Sequence, residues 1–209
     1  MTGLRDRKKR EVRHRVIQAA GALFGDKGLD DTTMEEIAAA ADVSVATVYN
    51  YFGSKPNLLL AGVEDDTNEM LELGNAVLAK PGADPRRAVK RLFSIYFEHL
   101  LTWDRALLRE VVSASLRPGA ADLTAELAQM DVRLMEQTGA LLSHFAATGR
   151  LRSGTSAEDA SLLLFSVLAT HLMMLISIED LPAAALKRQV NQQIDLAFAG
   201  LSVNSKKAK

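Results

Sequence analysis

VSVATVYNYF, residues 43–52, is the stretch from which the fold can be read. Valines, two tyrosines and a phenylalanine surround Ser44, Ala46, Thr47 and Asn50, and no residue carries a charge. A buried strand has no use for the hydroxyls, and an ordinary surface helix would carry Lys and Glu. On a helix stepping about 100° per residue, Val45, Val48 and Phe52 fall within about 60° of one another and form a core face. Thr47 and Asn50 fall opposite. Tyr49 and Tyr51 take the two margins, with Ala46 between Tyr49 and Asn50.

The flanks give this helix its partners. Thr33 precedes MEEIAAAA with Glu36 three residues on, the capping-box spacing of a short helix. Asp42-Val43-Ser44 makes a tight turn, and Ser44 caps the next helix, which runs to about Phe52. Val12, Val16, Ala19, Ala20 and Leu23 mark a longer preceding helix that Gly25 to Gly28 should stop. Gly53-Ser54-Lys55 breaks the third helix, and Pro56 suits the first position of a fourth. Two short helices joined by such a turn and backed by a longer one form a helix-turn-helix.

A helix that enters the DNA major groove needs a slim outer face, because bulk holds it away from base edges. Ala46 and Thr47 are slim, and Thr47 offers a methyl to thymine or a hydroxyl to a base. Tyr49 and Tyr51 at the margins are placed to direct hydroxyls at phosphates on the groove walls. Asn50 suits an adenine edge or a phosphate. Thr33 and the exposed N–H groups opening the second helix make an anion-favouring end, and Lys55 adds a cation.

The totals set the frame. With 48% apolar and 24% charged residues over 209 positions, the composition is that of a globular protein of one large domain or two. The absence of cysteine excludes disulfides, thiolate metal sites and cysteine nucleophiles. The basic start is followed by no apolar run of the secretory type, so a cytoplasmic location is expected. A net charge of −1 conceals an asymmetry. Residues 1–15 hold Arg5, Arg7, Lys8, Lys9, Arg10, Arg13 and Arg15 against Asp6 and Glu11, a surplus of +5 that leaves −6 elsewhere. Such an arm is a solvated tail or a source of phosphate contacts.

Beyond Pro56 the pattern stays helical: to about Ala79, from about 85 to 102, on to Leu116, from Leu123 to about Gly149, over 156–178, and from Pro182 to Leu201. No alternating run argues for a sheet, so the fold class is all-α. Residues 160–178 contain no Asp, Glu, Lys or Arg and are long enough to cross a bilayer. Ser161, Ser166, Thr170, His171 and Ser177 and the lack of basic flanks favour instead a helix buried on two sides, one of them against a second subunit. No membrane partner is expected. The last two helices, about 156–178 and 182–201, are the expected four-helix dimer interface; Leu186, Val190, Ile194, Ala197 and Leu201 form the stripe of the second.

Phe93, Tyr96, Trp103, Met130, Leu134 and His171 are the candidates to line an effector cavity, which should be mainly apolar with a few polar anchors. His14, His99, His144 and His171 are scattered, and there is no HExxH, GxSxG or phosphate loop. Enzymatic activity, metal ions and cofactors are therefore not expected. The competing reading is a helical interaction or membrane-associated protein without a DNA-binding role, favoured by residues 160–178 alone.

Residues 12–59 also resemble the DNA-binding domain of TetR-type transcriptional regulators. The resemblance is carried by Ala20, Leu23-Phe24, Gly28, Thr33, Ile37-Ala38, Ala41, Val43-Ser44, Thr47, Tyr49, Tyr51-Phe52, Lys55 and Leu58-Leu59. It departs at Asp42, where a turn glycine is usual, at Ala46, often Gly, and at Pro56-Asn57, where acidic residues often follow the lysine. The resemblance implies a basic arm and DNA-binding domain over 1–55 and a helical effector-binding and dimerisation domain over 56–209. It implies a homodimer that represses transcription from a palindromic operator and is released by a small molecule, here a hydrophobic or aromatic one. By position, Thr33, Ser44, Tyr49, Tyr51 and Lys55 would contact phosphates, and Val45, Ala46, Thr47 and Asn50 would face bases.

Overall fold

The computed structural model describes residues 3–201. Residues 1–2 and 202–209 lie outside the described residues, as does the side chain of Arg5 from the basic arm. The described residues form an all-α protein with nine helices: α1 Leu4–Asp31, α2 Met34–Ala40, α3 Val45–Phe52, α4 Lys55–Ala79, α5 Pro85–Leu100, α6 Arg105–Ser115, α7 Ala121–Ala147, α8 Ala157–Ser177 and α9 Ala183–Leu201.

Most helix starts are set by local chemistry. Thr33, Ser44, Asp84, Asp104 and Ser156 each accept a backbone N–H at an N-terminus, and Pro85 occupies the first turn of α5. One feature of α1 differs from the sequence expectation. The helix begins at Leu4, so Arg7 to Arg15 are part of it rather than a tail before it. Arg and Lys are good helix formers, and the Arg7–Glu11 pair one turn apart adds support. At its other end Gly28 leaves helical geometry, at φ 85° and ψ 165°, and breaks the helix within the Gly25–Gly28 stretch expected to stop it; a short second segment follows to Asp31.

The chain packs as two compact units. One comprises residues up to Thr67 together with Trp103–Ala128; the other comprises Asn68–Thr102 and the chain from Gln129 onward. The 55/56 division expected from sequence falls at the first turn of α4, within the first unit.

In the first unit, Val16, Ala20 and Phe24 of α1 join Met34 and Ile37 of α2, Val48 and Phe52 of α3, and Leu58 and Leu59 of α4 in one core. α6 packs closely on α1: a Cβ at Gly21 or Gly25 would lie 3.5 or 3.4 Å from Leu107. Arg117 bonds Asp30 at 3.0 Å and Glu110 at 3.1 Å at the end of the same pairing.

In the second unit, Leu92, Phe93 and Tyr96 of α5, Leu141, Leu142 and Phe145 of α7, Leu164 of α8 and Ile194 of α9 are fully buried. α8 turns Ala160, Leu164, Leu168, His171 and Leu175 inward and leaves Leu162, Leu163 and Met173 exposed. It is long and apolar enough to cross a membrane by length and composition alone. The buried stripe of α9 is Leu186, Val190, Ile194 and Phe198; Phe198 takes the position that the sequence stripe gave to Ala197, which is half-buried.

Candidate nucleic-acid interface

α3 is presented by a turn whose first backbone N–H groups fold back onto α2. Asp42, Val43 and Ala41 donate to Ala39, Ala38 and Ile37, which close the end of α2. Asp42 sits at φ 54°, a left-handed conformation that Asp tolerates, and so does the work of the usual glycine. The Ser44 hydroxyl accepts from the Thr47 N–H at 3.1 Å and shares a 2.7 Å bond with the Thr47 hydroxyl. Gly53 at φ 74° ends the helix.

The faces divide as the wheel requires. Val48 is 0% and Phe52 8% exposed, while Ala46 and Asn50 are open to solvent and Tyr49 is 48% exposed. Val45 and Thr47 are half-buried, Thr47 partly beneath its bond to Ser44. Tyr51 is also half-buried; its ring is tilted against Phe52 at 6.0 Å, and the Lys9 ammonium lies 5.9 Å from its centre. The outer side of α3 is therefore small, uncharged and polar, with one exposed phenol at its edge.

Two residues expected at phosphates have other partners. Thr33 closes a full capping box: its N–H donates to Glu36 at 2.9 Å and its hydroxyl accepts from the Glu36 N–H. The Lys27 ammonium, with Thr33, holds the Glu36 carboxyl down to about 2, so a carboxylate already occupies the start of α2. Lys55 donates to the carbonyls of Leu29 at 2.7 Å, Asp30 at 2.9 Å and Thr32 at 2.7 Å. An ammonium has three donors, and all three cap the end of α1. The buried Thr32 completes that cap by donating to the Gly28 carbonyl at 2.7 Å. Thr32 was not among the sequence candidates, and nothing local marks it.

Further cations, those of the basic arm, lie on α1 itself. Arg13 pairs with Asp65 and stacks 6.0 Å from the Phe52 ring, which fixes the first turns of α1 beside α3. Lys8, Arg10 and Arg15 are exposed on the same helix.

The effector candidates separate. Trp103 belongs to the first unit, where its indole N–H donates to Asp66 at 2.7 Å. Phe93, Tyr96, Met130, Leu134 and His171 belong to the second. There Phe93 and Tyr96 pack with ring centres 5.8 Å apart, and Leu134 and His171 are buried, the latter sharing its Nδ1 with the Val167 carbonyl at 2.7 Å. Burial pushes the Tyr96 phenol well above its ordinary range. Met130 is half-buried.

This is the site of a helix-turn-helix DNA-binding protein. Residues 16–61 match the family model for bacterial regulatory proteins of the tetR family, so this segment is a DNA-binding domain of the tetR type. The chain is 36% identical over 85 residues to the transcriptional regulator BetI of Rhizobium meliloti, covering 41% of each chain. It is 31% identical over 144 residues to the transcriptional regulator TcmR of Streptomyces glaucescens, covering 68% of this chain and 56% of that one. The matches thus span about half the length of these relatives. The fold is shared with a TetR-family structure from Mesorhizobium loti (23% identity, TM-score 0.76, 92% and 97% of the chains). It is shared equally with SmeT in its triclosan complex (20% identity, TM-score 0.77, 93% of each). These relatives are transcriptional regulators, not enzymes.

Proposed function

We propose that this chain is a ligand-responsive transcriptional repressor that binds a palindromic operator as a homodimer and acts in the cytoplasm. Residues 1–55 would read the DNA and residues 56–209 would dimerise and bind the effector. The observation that carries this reading is α3: Val48 and Phe52 anchor it in the core while Ala46, Tyr49 and Asn50 stand free beside Thr47. Ala46 and Thr47 would meet base edges, with Val45 and Asn50 beside them. Tyr49 and Ser44, together with the exposed Lys8, Arg10 and Arg15, would hold phosphates.

One short reading helix per subunit calls for a second copy, because half-sites about 34–36 Å apart multiply specificity. Leu162, Leu163 and Met173 of α8 and Leu196 of α9 offer apolar surface for that copy, Leu196 being 73% exposed. The effector would be a hydrophobic or aromatic small molecule. Support comes from the apolar interior around Phe93, Tyr96 and Leu134 and from SmeT, solved with triclosan. Other structural neighbours hold stearoyl-CoA (TM-score 0.72) and choline (TM-score 0.71). The ligand must bind the released conformation better than the DNA-bound one.

Selection of genomic fragments by the purified protein tests the reading. An inverted repeat bound with an affinity that falls steeply with salt is expected. Recovery of no preferred sequence, with the chain pelleting with lipid, would favour a membrane-associated helical protein.

A further inference from the structure

Gln137 of α7 is buried in the second unit, and its amide makes three hydrogen bonds. Its Oε1 accepts from the Tyr96 hydroxyl of α5 at 2.6 Å. Its Nε2 donates to the Leu71 carbonyl and to Asn75 Oδ1, both on α4 and both at 2.8 Å. Gly74 lies between those two contacts. A Cβ there would stand 2.1 Å from Gln137 Oε1 and 2.8 Å from its Cδ, whereas at the other described glycines no neighbour comes within 3.4 Å. Gln137 is seated in a notch of α4 that any other residue would close. α4 is one helix, with residues to Thr67 in the first unit and from Asn68 in the second.

We propose that Gln137, seated against Gly74, is the residue that couples effector binding to α4. This rests on the effector reading above and specifies how it would operate. A buried amide keeps its partners together, because each unmet donor or acceptor is costly away from water. Both amide hydrogens grip α4, and the amide oxygen is tied to Tyr96, in the cluster expected to meet the ligand. An effector whose hydroxyl or carbonyl bonds Tyr96 or the amide draws Gln137 off α4. A purely apolar molecule leaves the grip intact. The effector class is therefore an apolar body with one neutral hydrogen-bonding head. Released at Leu71 and Asn75, α4 loses the two hydrogen bonds by which Gln137 holds that turn.

A mutant cycle of Gly74→Ala, Gln137→Ala and the double variant tests this on the operator recovered by selection. Gly74→Ala expels the Gln137 amide and should change operator Kd by at least about fivefold. It should also speed amide exchange over residues 71–79. In the Gln137→Ala background the same glycine substitution should change Kd by less than about twofold, since the clashing atoms are gone. The proposal is overturned if Gly74→Ala acts equally in both backgrounds. It is also overturned if melting and exchange shift while operator Kd holds. A parent that binds no DNA would overturn the regulator reading itself, which is a different result.

Discussion

Replacing Lys55 by Met separates two roles that one lysine at this position can play. The structure spends its three donors on the carbonyls of Leu29, Asp30 and Thr32, two of these bonds being part-buried and one exposed. Met keeps the stem and removes the donors. A charge-assisted bond contributes about 1.5–3 kcal/mol when well shielded, and less where water can substitute. Counting the two part-buried bonds at about 1 kcal/mol each and the exposed one near zero, Lys55→Met should destabilise the protein by about 2 kcal/mol. Urea unfolding followed by circular dichroism reads this as a lower midpoint at unchanged slope. If Lys55 served a phosphate instead, stability would stay put. The slope of log K against log salt would then shrink by about one. A stable variant with that smaller slope would refute the assignment.

Other perturbations address other parts of the account. Tyr49→Phe should weaken binding to every sequence alike, by about 1 kcal/mol in anisotropy titrations, whereas Thr47→Ala should alter preference at one or two positions per half-site in repeat selection. Asp131 of α7 is half-buried, and burial pushes its carboxyl up to about 6. Because the folded state holds that proton more tightly than the unfolded one, stability present below about pH 4 is lost as pH rises to about 6 and stays lost above. Asp131→Asn should therefore be more stable than the parent by about 1 kcal/mol at pH 7.5, after discounting for partial exposure, with the gap closing near pH 4 in urea titrations. Leu163→Glu combined with Leu196→Glu places charge on the exposed faces of α8 and α9; in sedimentation the parent is expected as the proposed dimer and the double variant as a monomer.

What could be read from sequence was local. The Thr33–Glu36 box, the Ser44 cap and the inward Val48 and Phe52 each depend on residues within about one or two helical turns, and all appear as expected. The tight turn at Asp42 was legible for the same reason. What escaped depends on distant partners. Lys55 finds its carbonyls 23 to 26 residues away, and Trp103 finds Asp66 at a separation of 37. Gln137 looked like an ordinary polar residue on a long helix, and only the notch at Gly74 reveals its role. The basic arm was misread in form because its charges carry no apolar period, although Arg and Lys favour helix by themselves.

Because the chain contains no cysteine, Ala46→Cys creates a unique attachment point on the face assigned to the bases. A photoactivated crosslinker placed there should label bases inside each half-site of the selected operator, and the same label at Leu163→Cys should leave the DNA untouched. Operator binding with no labelling from position 46 would contradict the placement of α3 in the major groove.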